Sequence, residues 1–384
     1  MAKKKMLTVD AGNHARIHCP VSAVLSLEEV GDPQRVGMAL AGVDKPVQAV
    51  VNGKEIELTW LLPRLRSEKK KKFELKKKRT INNTHGVEIV DEPGDHVAVF
   101  LNGKLFTNYY YGEAYPRPFL HPLIGPYGKT VTRDYPMPGG PEGEREDHPH
   151  HRSVWTAWGE ISGADNWSEL KGHGCVVHRK FEELRQGPIF GRITACNDWT
   201  NSSGNKICEE IREMTFYNLP SAVRMIDYNV TFLATEGRIS FDDTKEGGIL
   251  SVRVASSMDV PVSGTIMNSF GGKNENETWG KPSHWCDYTG KVDGQTVGVA
   301  IFDHPSNFRH PTTWHVRNYG LMTANPFGLS CFTGDEENDG SHKVPAGEEF
   351  KFRYRLFVHK GTAEEAEVAE RYHDYVNPPS IEHG

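Results

Sequence analysis

The chain has 384 residues, long enough for two domains or for one large domain with a small companion. Its 45 Lys and Arg residues against 51 Asp and Glu residues give a net charge of −6, so the chain has no overall positive field to attract nucleic acid or an acidic membrane. No apolar run reaches the roughly 18 residues of a membrane-spanning helix, and six widely spaced cysteines without a CxxC pair predict free thiols in a cytoplasmic protein.

The first part of the chain predicts a small β module. Asn52 and Gly53 separate two strand-like runs, and Asn-Gly between alternating runs is a strong hairpin signal. A lysine-rich run follows at 69–79, which we interpret as a solvated edge strand whose lysines discourage edge-to-edge pairing. A polyanion-binding patch is the alternative. With a linker expected at 80–85, the sequence predicts a small β-sandwich-like module over residues 1–82.

The remaining residues, 83–384, predict a larger β domain. A second Asn-Gly pair, Asn102 and Gly103, lies between two alternating runs. Segments 225–232 and 350–358 alternate apolar and polar residues, as strands do when they bury one face against a second sheet. We therefore expect a mostly β fold: a large antiparallel β-sandwich that carries the functional site.

The clearest helix signal lies near the end of the chain. Thr362 and Glu365 form a capping box ahead of a helix expected over 366–375. Two other segments, 112–152 and 270–290, are too polar and too rich in Gly and Pro to be core. Long loops of this kind in a compact domain are usually functional.

The first segment rich in titratable side chains contains three histidines in four residues, His148, His150 and His151, followed by Arg152. An imidazole can transfer a proton near neutral pH, and several together with a carboxylate can bind a metal ion. In an extended run, His148 and His150 would share a face, while His151 and Arg152 would lie on opposite faces. An acid–base or substrate site, a metal site and the packing of a Pro-rich loop all remain open.

The second segment, DDTKEG, crowds carboxylates around a cation. Asp243, Lys245 and Glu246 lie within four residues, and Arg253 follows them. Such crowding can bind sugar hydroxyls or allow one carboxyl group to act as a base. The alternative is a charged hairpin turn between strands at 239–241 and 249–254.

The segment 303–319 is the densest in polar groups. The C–H face of a sugar ring stacks on an aromatic side chain, while its hydroxyls pair with Arg, Asn and Asp. Residues of these types in the segment are Asp303, Asn307, Arg309, His310, Trp314, His315, Arg317 and Tyr319.

Long motifs in these segments carry a resemblance. RPFLHPLIGPYGKTVTRDYPMPGG, DDTKEG, WGKPSHWCDYTG and DHPSNFRHPTTWHVRNYG resemble the bacterial family of uncharacterised proteins catalogued as methane oxygenase PmoA, over roughly residues 15–375. A membrane copper oxygenase needs spanning helices, so we do not expect that activity. The family is similar in architecture to the galactose-mutarotase-like β-supersandwich, whose members bind or act on carbohydrates in a cleft on a large twisted sheet. The resemblance thus implies a sugar site built from these loops.

We therefore predict a carbohydrate-active enzyme that transfers protons on a sugar or glycoside, as an epimerase, lyase or hydrolase. The candidate acids are His151 and His315, and the candidate bases are Glu246 and Asp303. The candidate substrate-binding residues are His121, Arg133, His150, Arg152, Asp243, Lys245, Arg253, Trp285, Asn307, Arg309, His310, Trp314, Arg317, Tyr319 and Asn325. We expect a small carbohydrate as partner, with no nucleic acid, no membrane and no cofactor.

Two alternatives stay open. The first is an enzyme that depends on a divalent metal ion held by His148, His150 and His151. The second is a non-catalytic glycan-binding protein.

Overall fold

Alternating apolar and polar residues build most of the chain into antiparallel strands. The structure is a computed structural model that describes residues 5–77, 86–137, 139–140 and 144–383. The strands are β1 (Met6–Asp10), β2 (Arg16–Ser26), β3 (Val36–Leu40), β4 (Val43–Lys45), β5 (Gln48–Asn52), β6 (Glu55–Leu65), β7 (Lys70–Lys77), β8 (Val87–Glu92), β9 (His96–Leu101), β10 (Lys104–Tyr110), β11 (Phe119–His121), β12 (Val154–Trp158), β13 (Val176–Arg185), β14 (Phe190–Thr200), β15 (Lys206–Tyr217), β16 (Val223–Leu233), β17 (Ile239–Phe241), β18 (Gly247–Arg253), β19 (Thr265–Asn268), β20 (Trp285–Val292), β21 (Gln295–Asp303), β22 (Trp314–Arg317), β23 (Leu321–Ala324), β24 (His342–Val344), β25 (Glu349–Lys360) and β26 (Ser380–His383). The helices are α1 (Leu27–Val30), α2 (Asn274–Thr278), α3 (Leu329–Thr333) and α4 (Val368–Val376), with short 3₁₀ turns at Pro33–Arg35, Pro126–Gly128 and Ser256–Met258.

Two eight-stranded antiparallel sheets form the large sandwich. Sheet A has the order β22-β23-β18-β12-β11-β10-β9-β8, and sheet B has the order β13-β14-β15-β16-β25-β21-β20-β19. Apolar side chains from both sheets, such as Val252 and Trp314 of sheet A and Tyr228 and Leu356 of sheet B, share one continuous core. The predicted mostly β fold with a large antiparallel sandwich is confirmed.

The local predictions for hairpins and strands are also confirmed. Asn52 ends β5, and Gly53 begins the turn into β6. Asn102 and Gly103 join β9 to β10 with positive φ values of 51° and 76°, as the two central residues of a type I′ turn require. Strands β16 and β25 pair along their whole length, and each buries alternate residues in the core.

The small module contains a five-stranded sheet, β26-β1-β7-β3-β4, and a three-stranded sheet, β2-β6-β5. The prediction of an edge strand at the lysine run is wrong, because β7 pairs with β1 on one side and with β3 on the other. Phe73 of β7 is buried in the core of the module, and Lys70, Lys72 and Lys76 lie on the opposite face of the strand. Strand β26 from the end of the chain completes this sheet. The expected linker and the boundary after residue 82 lie outside the described residues.

The C-terminal helix packs on the outer face of sheet B. The capping box forms as predicted: the backbone N–H of Glu365 donates to Thr362 Oγ1 over 3.2 Å, and that of Thr362 donates to Glu365 Oε2 over 2.9 Å. The helix begins at Val368, two residues later than expected, because Glu367 has a left-handed φ of 53°. In the part of the chain that is described, no helix combines the length and the apolar character needed to cross a membrane.

Two loop predictions need correction. Segment 270–290 is only partly a loop, because β20 starts at Trp285 and is buried along most of its length. The DDTKEG segment does not join a hairpin, because β17 pairs with β24 and β18 pairs with β12 and β23. The segment instead connects a small two-stranded sheet to the middle of sheet A.

Candidate functional site

One row of side chains crosses the outer face of sheet A from strand to strand. Its members are cross-strand partners in the order His96, Tyr110, Phe119, Trp155, Ser251, Thr323 and His315. The neighbouring row, which includes Val154, Val252 and Met322, lies in the sandwich core. Because successive residues of a strand point to opposite faces, the first row points away from the core. It ends at His315 on the edge strand β22.

The three clustered histidines meet this row through a turn. His148 has a left-handed φ of 46°, and its carbonyl accepts a hydrogen bond from the N–H of His151 over 3.0 Å. The rings of His148 and His151 stack at 4.8 Å, and those of His150 and His151 contact at 4.4 Å. His151 also stacks on Trp155 at 5.4 Å. The run is therefore not extended, and the turn brings all three rings together.

Arg253 fixes the protonation of His151. Its Nη1 donates to Nδ1 of His151 over 2.9 Å, and its Nη2 donates to Oδ1 of Asp147 over 2.8 Å. Arg133 donates to the same carboxylate oxygen over 2.5 Å. Since a guanidinium has no acceptor, the neutral His151 ring must carry its proton on Nε2. Burial, together with the charges of His150 and Arg253, holds the pKa of His151 well below 6.5.

Glu246 is near enough to two of the candidate histidines, His150 and His315, for its charge to act on both. Burial lowers the pKa of both His150 and His315, the Glu246 carboxylate partly offsets this fall, and both imidazoles in turn lower the pKa of Glu246. Burial raises the pKa of Glu246, but the hydrogen bond and the charge of Lys245 outweigh burial, so the carboxyl group is ionised at neutral pH. Three segments distant in sequence, 148–151, 244–246 and 314–319, thus converge beside the outer face of sheet A.

His315 is held through its Nε2. Its Nε2 accepts a hydrogen bond from Nε of Arg317 over 3.2 Å, and Arg317 Nη1 donates to Glu275 over 2.6 Å. Its Nδ1 makes no hydrogen bond of good geometry, although the carbonyl of Lys245 is near enough to favour a proton there. Burial and the charge of Arg317 lower the pKa of His315 to about 3. His315 is only 2% exposed, so it positions its neighbours rather than meeting solvent.

His150 and Glu246 are the accessible titratable pair. His150 is half-buried, and its ring nitrogens make no hydrogen bond to any described residue. Burial and the charge of Arg117 lower its pKa to about 4. The Glu246 side chain is 43% exposed, whereas His151 is 1% exposed. Of His150, His151 and His315, only His150 is accessible to solvent. We use the name Glu246 cluster for Glu246, Lys245, His150, His315 and Arg317.

Two of the expected stacking platforms are core residues. Trp314 is fully buried between the sheets, and its Nε1 donates to the carbonyl of Ser283 over 2.9 Å. Trp285 packs under α4 on the outer face of sheet B. Tyr319 is half-buried, but His148 stacks on it at 4.9 Å and the guanidinium of Arg253 lies 4.8 Å from its centroid.

Other predicted ligand-binding groups satisfy each other within the protein. Arg152 forms a bidentate pair with Glu169 at 2.9 and 2.7 Å. Asn325 donates to three carbonyls of residues 244–247 and thereby shapes the loop that carries Glu246. Asp243 accepts from the N–H groups of Ser330 and Gly340. These residues support the site from outside it.

Arg309 and His121 also lie away from the Glu246 cluster. Arg309 donates to the carbonyls of Pro326 and Gly340. His121 is buried on β11, with Nε2 3.5 Å from Oδ1 of Asp134, and burial lowers its pKa to about 4. Neither side chain forms a hydrogen bond, ion pair or ring contact with Glu246, His150 or His315.

Asp303, Asn307 and His310 form a separate group at the end of β21. Asp303 is fully buried and accepts hydrogen bonds from His310 and Asn307, both over 2.7 Å. None of their contacts among the described residues reaches the Glu246 cluster. The expectation that Asp303 acts as a base beside the clustered histidines therefore does not fit this arrangement.

Several residues of the site were missed. Trp167 contacts His150 and His151, Asp147 holds Arg253, Glu275 holds Arg317, and half-buried Trp279 lies under the Arg317 guanidinium at 5.3 Å. Asp147 could have been found, because it directly precedes His148. Trp279 begins the WGKPSHWCDYTG motif and Glu275 lies in the 270–290 segment, whereas Trp167 lies in a segment that carries no local signal of function.

In the described part of the chain, no three His, Cys, Asp or Glu side chains are arranged to hold an ion. The alternative of a metal-dependent enzyme therefore has no ready set of ligands there. Nδ1 of His151 already accepts from Arg253, and the rings of His148 and His151 stack face to face.

The fold and the site define a two-sheet β-sandwich protein with a cluster of titratable groups on one outer face. The chain belongs to the family of unknown function DUF6807, whose model matches residues 96–373. No curated protein matches the chain.

Three solved structures are similar at low identity. A glycosyl hydrolase family 38 protein from Enterococcus faecalis has a TM-score of 0.45 and 9% identity, over 100% of this chain and 48% of its own. An alpha-mannosidase from Enterococcus faecalis V583 has a TM-score of 0.46 and 10% identity, over 99% and 46%. A GalM/aldose epimerase homologue from C. elegans has a TM-score of 0.29 and 8% identity, over 72% and 100%. The chain spans about half the length of the two Enterococcus proteins.

Proposed function

We propose that this protein is a carbohydrate-active enzyme in which Glu246 removes a proton from a sugar while His150 binds the neighbouring oxygen. The observation that carries the proposal is the convergence of Glu246, His150 and His315 from three distant segments. A half-exposed carboxylate beside a half-exposed imidazole with free nitrogens is suited to proton transfer on a polyhydroxylated ligand.

The protonation states favour a reaction that begins with a base. At neutral pH Glu246 is ionised and His150 is neutral, so neither group is a ready proton donor. Glycoside hydrolysis usually needs a protonated carboxyl group to assist the leaving group. Epimerisation or elimination next to a carbonyl needs a base instead, followed by stabilisation of a developing oxyanion. Lys245 and Arg317 are the nearby cations that would stabilise it.

The test is exchange of a sugar C–H for deuterium. The wild-type protein is incubated in D₂O with aldoses, keto-sugars and uronic acid glycosides, and loss of a proton signal is followed by NMR. Glu246→Gln should lower the exchange rate at least about 100-fold, since a general base contributes roughly 10²–10⁴. Glu160→Gln is the matched control, because Glu160 is exposed and lies outside the cluster.

Two outcomes would contradict the proposal. One is the wild-type exchange rate in Glu246→Gln, and the other is the absence of exchange and of product with every sugar tested. Calorimetric binding of a sugar without exchange or product would support the glycan-binding alternative.

A further inference from the structure

A second group of histidines surrounds the buried carboxylate of Asp303. Oδ2 of Asp303 lies 2.7 Å from Nδ1 of His310 and accepts from the backbone N–H of Thr312 over 2.9 Å. Oδ1 accepts from Nδ2 of Asn307 over 2.7 Å. Nε2 of His310 lies 3.1 Å from Nδ1 of His284. We use the name relay group for Asp303, His310 and His284.

The hydrogen bonds dictate where the protons are. An ionised carboxylate only accepts, so Nδ1 of His310 must donate to Asp303. When His310 is neutral, its Nε2 is therefore an acceptor, and Nδ1 of His284 must donate to it. The remaining ring nitrogen, Nε2 of His284, then carries a free lone pair.

That lone pair is accessible and has an apolar neighbour. His284 is half-buried, and its Nε2 makes no hydrogen bond to any described residue. The Phe270 ring contacts His284 at 5.4 Å and is 66% exposed, while Tyr372 of α4 flanks it at 5.7 Å. The site thus combines a solvent-facing base with an exposed aromatic face.

We infer that the relay group is a second catalytic site, in which Nε2 of His284 acts as a general base toward water and small esters of aromatic alcohols are hydrolysed. Nε2 of His284 takes a proton from water as the water oxygen bonds to the ester carbonyl carbon. Nδ1 of His284 passes its proton to Nε2 of His310, and the resulting imidazolium is paired with Asp303. The bond to the alcohol oxygen then breaks, and the proton returns along the same path to the departing alcohol.

The geometry gives His284 a path for its proton that an isolated histidine lacks. Protonation places the positive charge on His310, next to a fully buried carboxylate, rather than on His284. Asp303 thus acts toward His310 as the carboxylate of a catalytic triad acts toward its imidazole. The charged and titratable groups that act on His284 are His310, Asp303 and His373.

The test is hydrolysis of p-nitrophenyl acetate by the full chain, measured as kcat/KM between pH 5 and 9. His284→Gln should lower kcat/KM at least tenfold. Asp303→Asn should also lower kcat with little change in KM, and it should change the pH profile, because it removes the charge behind the relay. His304→Gln is the matched control, because His304 directly follows Asp303 and its Nδ1 bonds Oγ of Ser306 rather than a member of the relay group.

A second measurement covers the case in which a variant of the buried Asp303 fails to fold. ¹⁵N NMR of the wild-type imidazoles should report Nδ1–H tautomers for both His284 and His310. Wild-type kcat/KM in folded His284→Gln, an Nε2–H tautomer for His284, or equal losses in His284→Gln and His304→Gln would each overturn the proposal. None of these results depends on whether the Glu246 cluster acts on sugars.

Discussion

Nη1 of Arg253 donates to Nδ1 of His151 over 2.9 Å, and this contact decides the chemistry of the most deeply buried histidine of the HPHH turn. Arg253 ends β18, whereas His151 precedes β12, so the pairing of these two strands makes the contact. His151 is thereby a neutral ring whose only N–H group is Nε2–H.

The tautomer of His151 is directly testable. At pH 6, ¹⁵N NMR should report a neutral Nε2–H ring. Arg253→Met should raise the pKa of His151, because a neighbouring positive charge is removed while burial remains. An imidazolium or an Nδ1–H tautomer at pH 6 in the wild-type protein would contradict the hydrogen bond.

The pH dependence of stability should change when His150 is replaced. Its pKa in the folded protein is about 4, below the ordinary 6.5, so the unfolded chain binds more protons between these values. Stability linked to His150 is therefore present above pH 6.5 and lost as the pH falls toward 4. The loss amounts to about 2 kcal/mol at pH 5.

His150→Gln removes this dependence. In urea unfolding, the variant should gain stability relative to wild type by about 2 kcal/mol between pH 7.5 and pH 5. The same free-energy difference at both pH values would show that His150 titrates normally in the folded protein.

Trp314 should behave as a core residue and not as a sugar platform. Its burial predicts that Trp314→Ala lowers the free energy of unfolding by about 3–5 kcal/mol. Trp314→Phe keeps most of the apolar contact but leaves the carbonyl of Ser283 without its donor, which costs about 1–3 kcal/mol. If folded Trp314→Phe kept full stability but lost sugar binding, the binding role would have to be restored.

The three clustered histidines should not bind a divalent ion. Positive guanidinium groups of Arg253 and Arg133 already occupy the nearest carboxylate, Asp147. We expect no stabilisation by Zn²⁺ or Mn²⁺ in thermal unfolding and unchanged turnover after EDTA treatment. A metal-dependent rise in melting temperature that His148→Gln abolishes would revive the metal alternative.

Local features were predictable because their physical causes are local. Gly53 and the Asn102-Gly103 pair have the positive φ values that their hairpin turns require, and the capping box at Thr362 needs only a residue three positions away. The alternation of β16 and β25 identified two strands of sheet B with their buried faces.

The functional grouping depended on pairings that no local pattern encodes. The lysines of β7 are typical of an edge strand, but β7 is paired on both sides, with β1 and with β3. Likewise, the 303–319 segment looks like a single polar motif in the sequence. Strand β22 begins within it, so the two parts of the segment lie in different places in the fold.

Composition and periodicity alone therefore determined that this chain is a β-sandwich and which residue types are available for chemistry. The pairing of strands in sheet A decided that His315 and Arg317 join Glu246 and His150. Asp303 ends β21 of sheet B, where it bonds His310, and His310 in turn contacts His284. The physical reason is that side-chain direction along a strand follows from sequence, whereas the neighbour across the sheet is set by the free energy of burying both sheets together.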